Sequence, residues 1–385
     1  MIQMFCARTL EIDEPELALE EILEQIDING LSCNSVGIIS CNHEFVSNGT
    51  TKYLSDNLPF EVVGLTTMVT MVNGEYDQYS LGLTVLTSDE VSFKTVLTGD
   101  INTENFCDEL EKVCATGINS SDGRPSFIFT LFPYSPEISG SMMINQLDKY
   151  CEGIPVWGTV ASDDTMSFEN SMTIFNGVGS IASAAMIFMY GPVKATFIVE
   201  ALPDRNISTR KAVITNSDGY RIYTVNGITP KEYFEELGIE LSDGPDALAV
   251  PIMIDFEDGS KPIASAFFKI YPDGSGLTGI GAPQNTTFSL GEIDYDGIIE
   301  TAGESVDKAL KVENPTGMLM FPCVTRYMMS SPRSDDEMCL VSEKIDGKFP
   351  YMLSYSGGEI CPVPGAGDTL NNRYHNYTFI SCVFS

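Results

Sequence analysis

Buried-strand signals separated by amphipathic helices recur along this chain, and that recurrence restricts the fold more than any single motif. Ser35 to Ser40 and Glu61 to Leu65 are short apolar runs bounded by turn residues, as buried strands are. Tyr79 to Leu86 and Val91 to Leu97 add two strands, joined hairpin-fashion by Thr87-Ser88-Asp89-Glu90. A helix is expected from about Thr103 to Ala115, with Phe106, Leu110 and Val113 on one face. The order then begins again. Ser126 to Phe132 is a strand, Ser139 to Cys151 a helix, and Pro155 to Gly158 a strand running into a polar turn. Met172 to Asn176, Ala182 to Tyr190 and Lys194 to Glu200 continue as antiparallel strands. Gly64 and Gly158 are spaced almost as are the strands beginning at Val36 and Phe127. An internal duplication and a chance recurrence of a common pattern both account for this. A third recurrence of the pattern, open to the same two readings, closes the chain. Gly317 to Phe321 is its first strand, Ser334 to Lys344 its helix, Tyr351 to Tyr355 its second strand, and Tyr377 to Phe384 the last.

Local signals fill in the remainder. Asp13 is placed to cap a first helix whose stripe is Leu19, Ile22, Leu23 and Ile26. The polar stretch Arg205 to Thr209 is the best boundary, giving domains 1–205 and 206–385. Beyond it, Lys211 to Thr215 and Tyr220 to Val225 form a hairpin over Asn216-Ser217-Asp218-Gly219. Thr229-Pro230-Lys231-Glu232 is a capping box with proline at the first helical position, and Gly238 ends that helix. Lys261 to Tyr271 and Gly276 to Gly281 are strands around Pro272-Asp273-Gly274. The expected fold is α+β: two modules with mixed, largely antiparallel sheets flanked by helices.

Charge narrows the partners. Acidic residues number 54 against 21 basic ones, a formal charge of −33, so phosphate backbones and anionic lipid surfaces are repelled. Neither nucleic acid nor membrane is expected as a partner. The ten cysteines include no CxxC pair, and no Cys/His cluster has zinc spacing. No signal peptide is expected at Met1 to Leu10, and the longest apolar stretch, Ile181 to Tyr190, is too short to span a bilayer. A reducing, cytoplasmic setting is therefore expected.

In this order of elements, several motifs carry a resemblance. Gly64-Leu65-Thr66-Thr67 and Pro155-Val156-Trp157-Gly158-Thr159-Val160-Ala161-Ser162-Asp163-Asp164 resemble the two turns of the N-terminal module of the FIST family, named for F-box and intracellular signal-transduction proteins. Gly317 to Arg326 is similar to an apolar strand of its C-terminal module that ends in Cys and Arg. Gly358-Glu359-Ile360-Cys361-Pro362 with His375-Asn376-Tyr377-Thr378 resembles the family's closing motif. The resemblance implies a non-enzymatic sensory input protein that binds a small polar ligand, such as an amino acid, and signals to a separate histidine kinase or cyclic-dinucleotide enzyme. No output segment follows Ser385, so a stand-alone member is expected. Many members carry a charged pocket residue in the strand after the capped helix. This chain has Ile263-Ala264-Ser265-Ala266-Phe267-Phe268 there, so no relative's ligand is carried over.

The candidate ligand-binding residues are Thr66, Trp157, Asp163, Cys323, Arg326, Glu359, His375 and Asn376, expected to converge on a cleft between the modules. Arg326 either clamps a carboxylate or is paired within the protein. Trp157 either walls a pocket or is core. Asp163 beside Asp164 suits an Asx-turn better than paired acid chemistry. Glu359, His375 and Asn376 lie in a stretch that is too polar for core, where they orient a ligand or pin a loop. His43 reads as a surface residue. No cofactor is expected. In the alternative, the chain is a haem-based nitric oxide sensor with His375 as axial ligand. A Cys-dependent enzyme built on Cys323 is a further alternative, for which no local motif supplies a base.

Overall fold

The computed structural model describes residues 1–120, 122–165, 167–239, 250–367 and 369–385, without the side chain of Phe268. It has three six-stranded mixed sheets and one closed six-stranded barrel. The sheets obey one plan. In the first, the order is Gln3–Thr9, Leu81–Ser88, Asn34–Cys41, Val62–Thr66, Thr173–Phe175, Val178–Ser180. The second runs Ser92–Leu97, Ala185–Tyr190, Phe127–Phe132, Val156–Val160, Gly358–Pro364, Leu370–His375. The third runs Ala195–Glu200, Phe379–Phe384, Gly317–Pro322, Tyr351–Ser354, Thr70–Val72, Glu75–Asp77. Each centres on one parallel pair, and every other pairing is antiparallel.

The chain is therefore a triplicate. Each unit is an edge strand, a helix, a first parallel strand, a helical crossover, a second parallel strand, a hairpin and a return strand. The hairpins are exchanged cyclically. That of unit one pairs in the third sheet, that of unit two in the first, and that of unit three in the second. The barrel, Ile207–Ser217 to Thr287–Gly291, is inserted in unit three between edge strand and helix, just where the polar boundary stretch lies. The capping box at Thr229 and Glu232 forms there as expected.

One set of hydrogen bonds marks the pseudo-threefold. Thr67 N donates to Cys41 O at 2.9 Å, Ala161 N to Phe132 O at 2.8 Å, and Ser356 N to Pro322 O at 2.8 Å. The three second strands then meet. Ser162 N donates to Thr66 O at 3.1 Å, Gly357 N to Val160 O at 2.9 Å, and Thr67 Oγ1 to Tyr355 O at 2.6 Å. Gly64 and Gly158 prove to be mid-strand, not turn, residues. A Cβ would sit 2.5 Å from Ile39 O at the first and 1.8 Å from Thr130 O at the second. Only glycine permits that approach of the parallel neighbour.

Inner faces of all three sheets share one core, including Ile38, Val63, Phe129, Trp157, Leu319, Phe321 and Met352. Helices cover the outer faces, with Ile22, Phe45 and Leu54 on the first sheet, and Val306, Met338 and Val341 on the third. Three local expectations are corrected. Leu81–Ser88 and Ser92–Leu97 are no hairpin but belong to different sheets, because Ser88 Oγ accepts from the backbone N–H groups of Glu90 and Val91 and turns the chain into the next unit. The first helix starts at Pro15 with no side-chain cap from Asp13, and Leu23 points to solvent. The polar tail is a buried hairpin, whose apolar neighbours Ile360, Cys361, Val363 and Tyr374 supply the core contacts.

Candidate functional site

In units one and three, a helix begins directly after the first parallel strand: Glu44–Ser47 behind His43, and Val324–Met329 behind Cys323. Unit two departs from this. Pro133 and Pro136 follow its strand, and proline both lacks an N–H and drives the preceding residue out of helical geometry. The helix waits until Gly140–Tyr150, where Ser139 Oγ caps Met142 N at 3.2 Å. The delayed start leaves a cleft of about 420 Å³ at the strand end, in the size range of small-molecule sites.

Tyr134, Ile138 and Met143 line this cleft together with Ser167, Phe168, Glu169 and Ser171 from the loop that follows Val156–Val160. The ring of Phe168 packs 5.0 Å from that of Tyr134 at 45°. Phe168 holds φ +55°, a left-handed conformation unusual for a bulky residue and of the kind found at binding loops. Asp163 shapes the loop, its Oδ1 accepting from Thr165 N and Thr165 Oγ1, both at 2.7 Å. Ser171 is 2% exposed, and its Oγ has no hydrogen-bond partner. A second cleft of about 310 Å³ borders Arg8, Glu21 and Glu75, and Arg8 is paired there with Glu75 at 3.5 Å.

None of the eight residues singled out in the sequence lines the larger cleft. Arg326 is paired within the protein. Its Nε and Nη2 donate to Glu337 Oε1 at 2.9 and 2.6 Å, and its other contacts are Ile298 O, Thr301 Oγ1 and Tyr377 O. Both partners are 1% exposed, because the guanidinium joins three helices beneath the third sheet. Trp157 lines neither of these clefts, being stacked on Phe321 at 4.8 Å in the central core. Thr66 is a staple, with Oγ1 donating to Ser162 O at 2.9 Å and accepting from Met172 N at 2.8 Å.

Glu359 and His375 are cross-strand partners in the tail hairpin, outside the lining of the cleft. Glu359 Oε1 accepts from Ser356 Oγ at 2.6 Å, and Oε2 from Thr378 Oγ1 at 2.9 Å. Burial pushes this carboxyl up to about 8, against the pull of those hydroxyls. Cys323 and Tyr374 feel the charge of Glu359, and burial first, then that charge, push both up. Tyr374 is packed against Gly140 at the head of the cleft's helix, where a Cβ would fall 2.3 Å from its ring. Asn376 follows the hairpin, with Oδ1 unpartnered. His375 is 1% exposed, its Nε2 lies 3.1 Å from Cys361 O, and burial lowers it to about 4.

Those positions give a pH prediction. Folded Glu359 keeps a proton that the unfolded chain, titrating near 4.5, releases, so it withdraws stability as pH rises from about 4.5 to about 8. His375, depressed from 6.5 to about 4, withdraws stability in the other direction, as pH falls through that window. Between pH 6.5 and 8, urea unfolding of Glu359→Gln should therefore lose less stability than wild type. Equal slopes would mean that Glu359 is ionised throughout.

Among the described residues, no helix is long and apolar enough to cross a membrane, and no group of His, Cys, Asp and Glu could hold a metal ion. A family model described as the FIST N domain matches residues 35–228, and one described as the FIST C domain matches residues 231–362. No curated protein matches the sequence. Among solved structures, the chain is similar to a cyanuric acid hydrolase described as an innovation by structural concatenation, at TM-score 0.35 and 9% identity, over 100% of this chain and 99% of that one. It is similar also to the cyanuric acid hydrolase of A. caulinodans, at TM-score 0.23 and 8% identity, over 49% of this chain and 71% of that one. Scores this low bear on neither the chemistry nor the fold of this chain.

Proposed function

From the premise that the chain belongs to the FIST family, whose domains are sensory modules of signal transduction, we propose that it is an input protein whose small-molecule ligand occupies the cleft of unit two. One observation carries this reading. Of three equivalent strand ends, two are closed by an immediate helix, and the one held open by prolines borders the larger cleft.

The fold offers a route for the signal. The loop that carries Phe168 leads directly into the hairpin that unit two lends to the first sheet, and Thr66 ties both to that sheet. A ligand that favours one setting of the loop would shift the register or mobility of the exchanged hairpin. The recipient is a separate protein such as a histidine kinase or cyclic-dinucleotide enzyme, as the family's role supports, and the setting is cytoplasmic. We read the protein as non-enzymatic. Cys323 is buried with its thiol pushed up, and no basic group is bonded to it, so a nucleophile is not prepared there. Haem does not fit either, because His375 is enclosed and engaged with the Cys361 carbonyl, and the cleft has no His or Cys among its described lining. No cofactor enters the proposal.

Ser167 is exposed on the cleft's rim, so Ser167→Trp should fill the cleft without disturbing the core. Small molecules that raise the melting temperature of the wild type should leave this variant unmoved. Equal shifts in both proteins would place the ligand elsewhere.

A further inference from the structure

We propose that the ligand is a small organic amine, bound as its ammonium ion, with an apolar body and without a carboxylate. This rests on the cleft being the ligand site. Four observations carry it. The described lining contains no Lys, Arg or His. Its charged member is a carboxylate, Glu169 at the rim. Two aromatic rings, Tyr134 and Phe168, stand together in the wall, and an ammonium near ring faces is attracted by their negative quadrupole. Ser171 offers a buried hydroxyl with no partner in the protein, and its oxygen can accept from an ammonium N–H.

A carboxylate entering this cleft would shed water and gain no cation in return. Arg326, which the sequence suggested for that task, is committed to Glu337. The whole-molecule field acts in the same direction, since a formal charge of −33 concentrates cations and depletes anions near the surface. Ile101, Ile138, Met143 and Ile181 are also in the lining and set the preference for an apolar body. Burial keeps the Tyr134 phenol neutral by raising it, so the ring presents no negative oxygen of its own.

The test is titration calorimetry on the full chain at neutral pH, with matched triplets of increasing size. Each triplet is an amine, the corresponding carboxylate and the corresponding amino acid, for instance phenethylamine, phenylacetate and phenylalanine. The expected result is that amines bind, that Ser167→Trp abolishes binding, and that Tyr134→Ala weakens it by about tenfold. Glu169→Gln, at the solvent-exposed rim, should weaken it by about threefold and reduce its salt dependence. If carboxylates or amino acids bind better than amines, and Ser167→Trp abolishes that binding, the ligand class is wrong while the cleft stands. If no amine binds the wild type, the ligand class is overturned. If compounds bind equally to wild type and Ser167→Trp, the cleft itself is not the site.

Discussion

Arg326→Ala is expected to cost about 3–5 kcal/mol, the range for breaking a buried ion pair from one side. The substitution leaves the Glu337 carboxylate enclosed, where Tyr355 Oη donates to it at 2.8 Å and no cation remains beside it. It also strips a donor from the Ile298 and Tyr377 carbonyls. Most domains have only about 5–15 kcal/mol in total, so the variant should unfold at much lower urea. The loss belongs mainly to the stranded carboxylate, not to the pair. Removing both charges, in Arg326→Met with Glu337→Leu, should therefore recover much of it. Urea titrations followed by circular dichroism decide the matter. A single-variant loss below about 1 kcal/mol would be that of an exposed pair and would contradict the buried geometry.

Trp157→Ala should cost a similar amount, about 3–5 kcal/mol, for a different reason. The indole is enclosed, stacked on Phe321 and 5.8 Å from Phe129, where the inner faces of the sheets meet. Three sheets packed on one another cannot all move inward to fill the space, so most of the cavity persists. Trp157→Phe should be much milder. As the sole tryptophan, Trp157 also reports on itself. Its emission should be blue-shifted, shielded from iodide and indifferent to ligands in the unit-two cleft. Quenching by a bound ligand would restore it as a pocket wall.

Part of the triplication is legible, as one of two readings of the spacing, because strand and helix periodicities are local. The recurrences at Gly64 and Gly158, and the third set from Gly317 to Phe384, correspond to the three units. The exchange of hairpins was not legible. Nothing in Thr173 to Phe175 says which second parallel strand it will pair with, since register is set by the assembled sheet. Similarly, pairing of Arg326 within the protein was one of its two readings, while the choice of Glu337 as partner depended on helix packing. The polar tail misled for a physical reason. Glu359 and His375 are tolerated inside by specific hydrogen bonds, which composition cannot reveal. The cleft residues Tyr134, Phe168 and Ser171 went unnoticed, yet a signal was present. Pro133 and Pro136 interrupt, in one copy of three, the strand-to-helix step that the other copies make at once.

Hydrogen exchange by mass spectrometry, with and without a stabilising ligand, examines the cleft most directly. The account predicts that slowed exchange concentrates in residues 133–143 and 167–182, the two lining segments, and spreads to the 62–66 strand that receives the exchanged hairpin. Protection confined to the surroundings of Cys323, Arg326 and Glu359, with both segments unchanged, would contradict it.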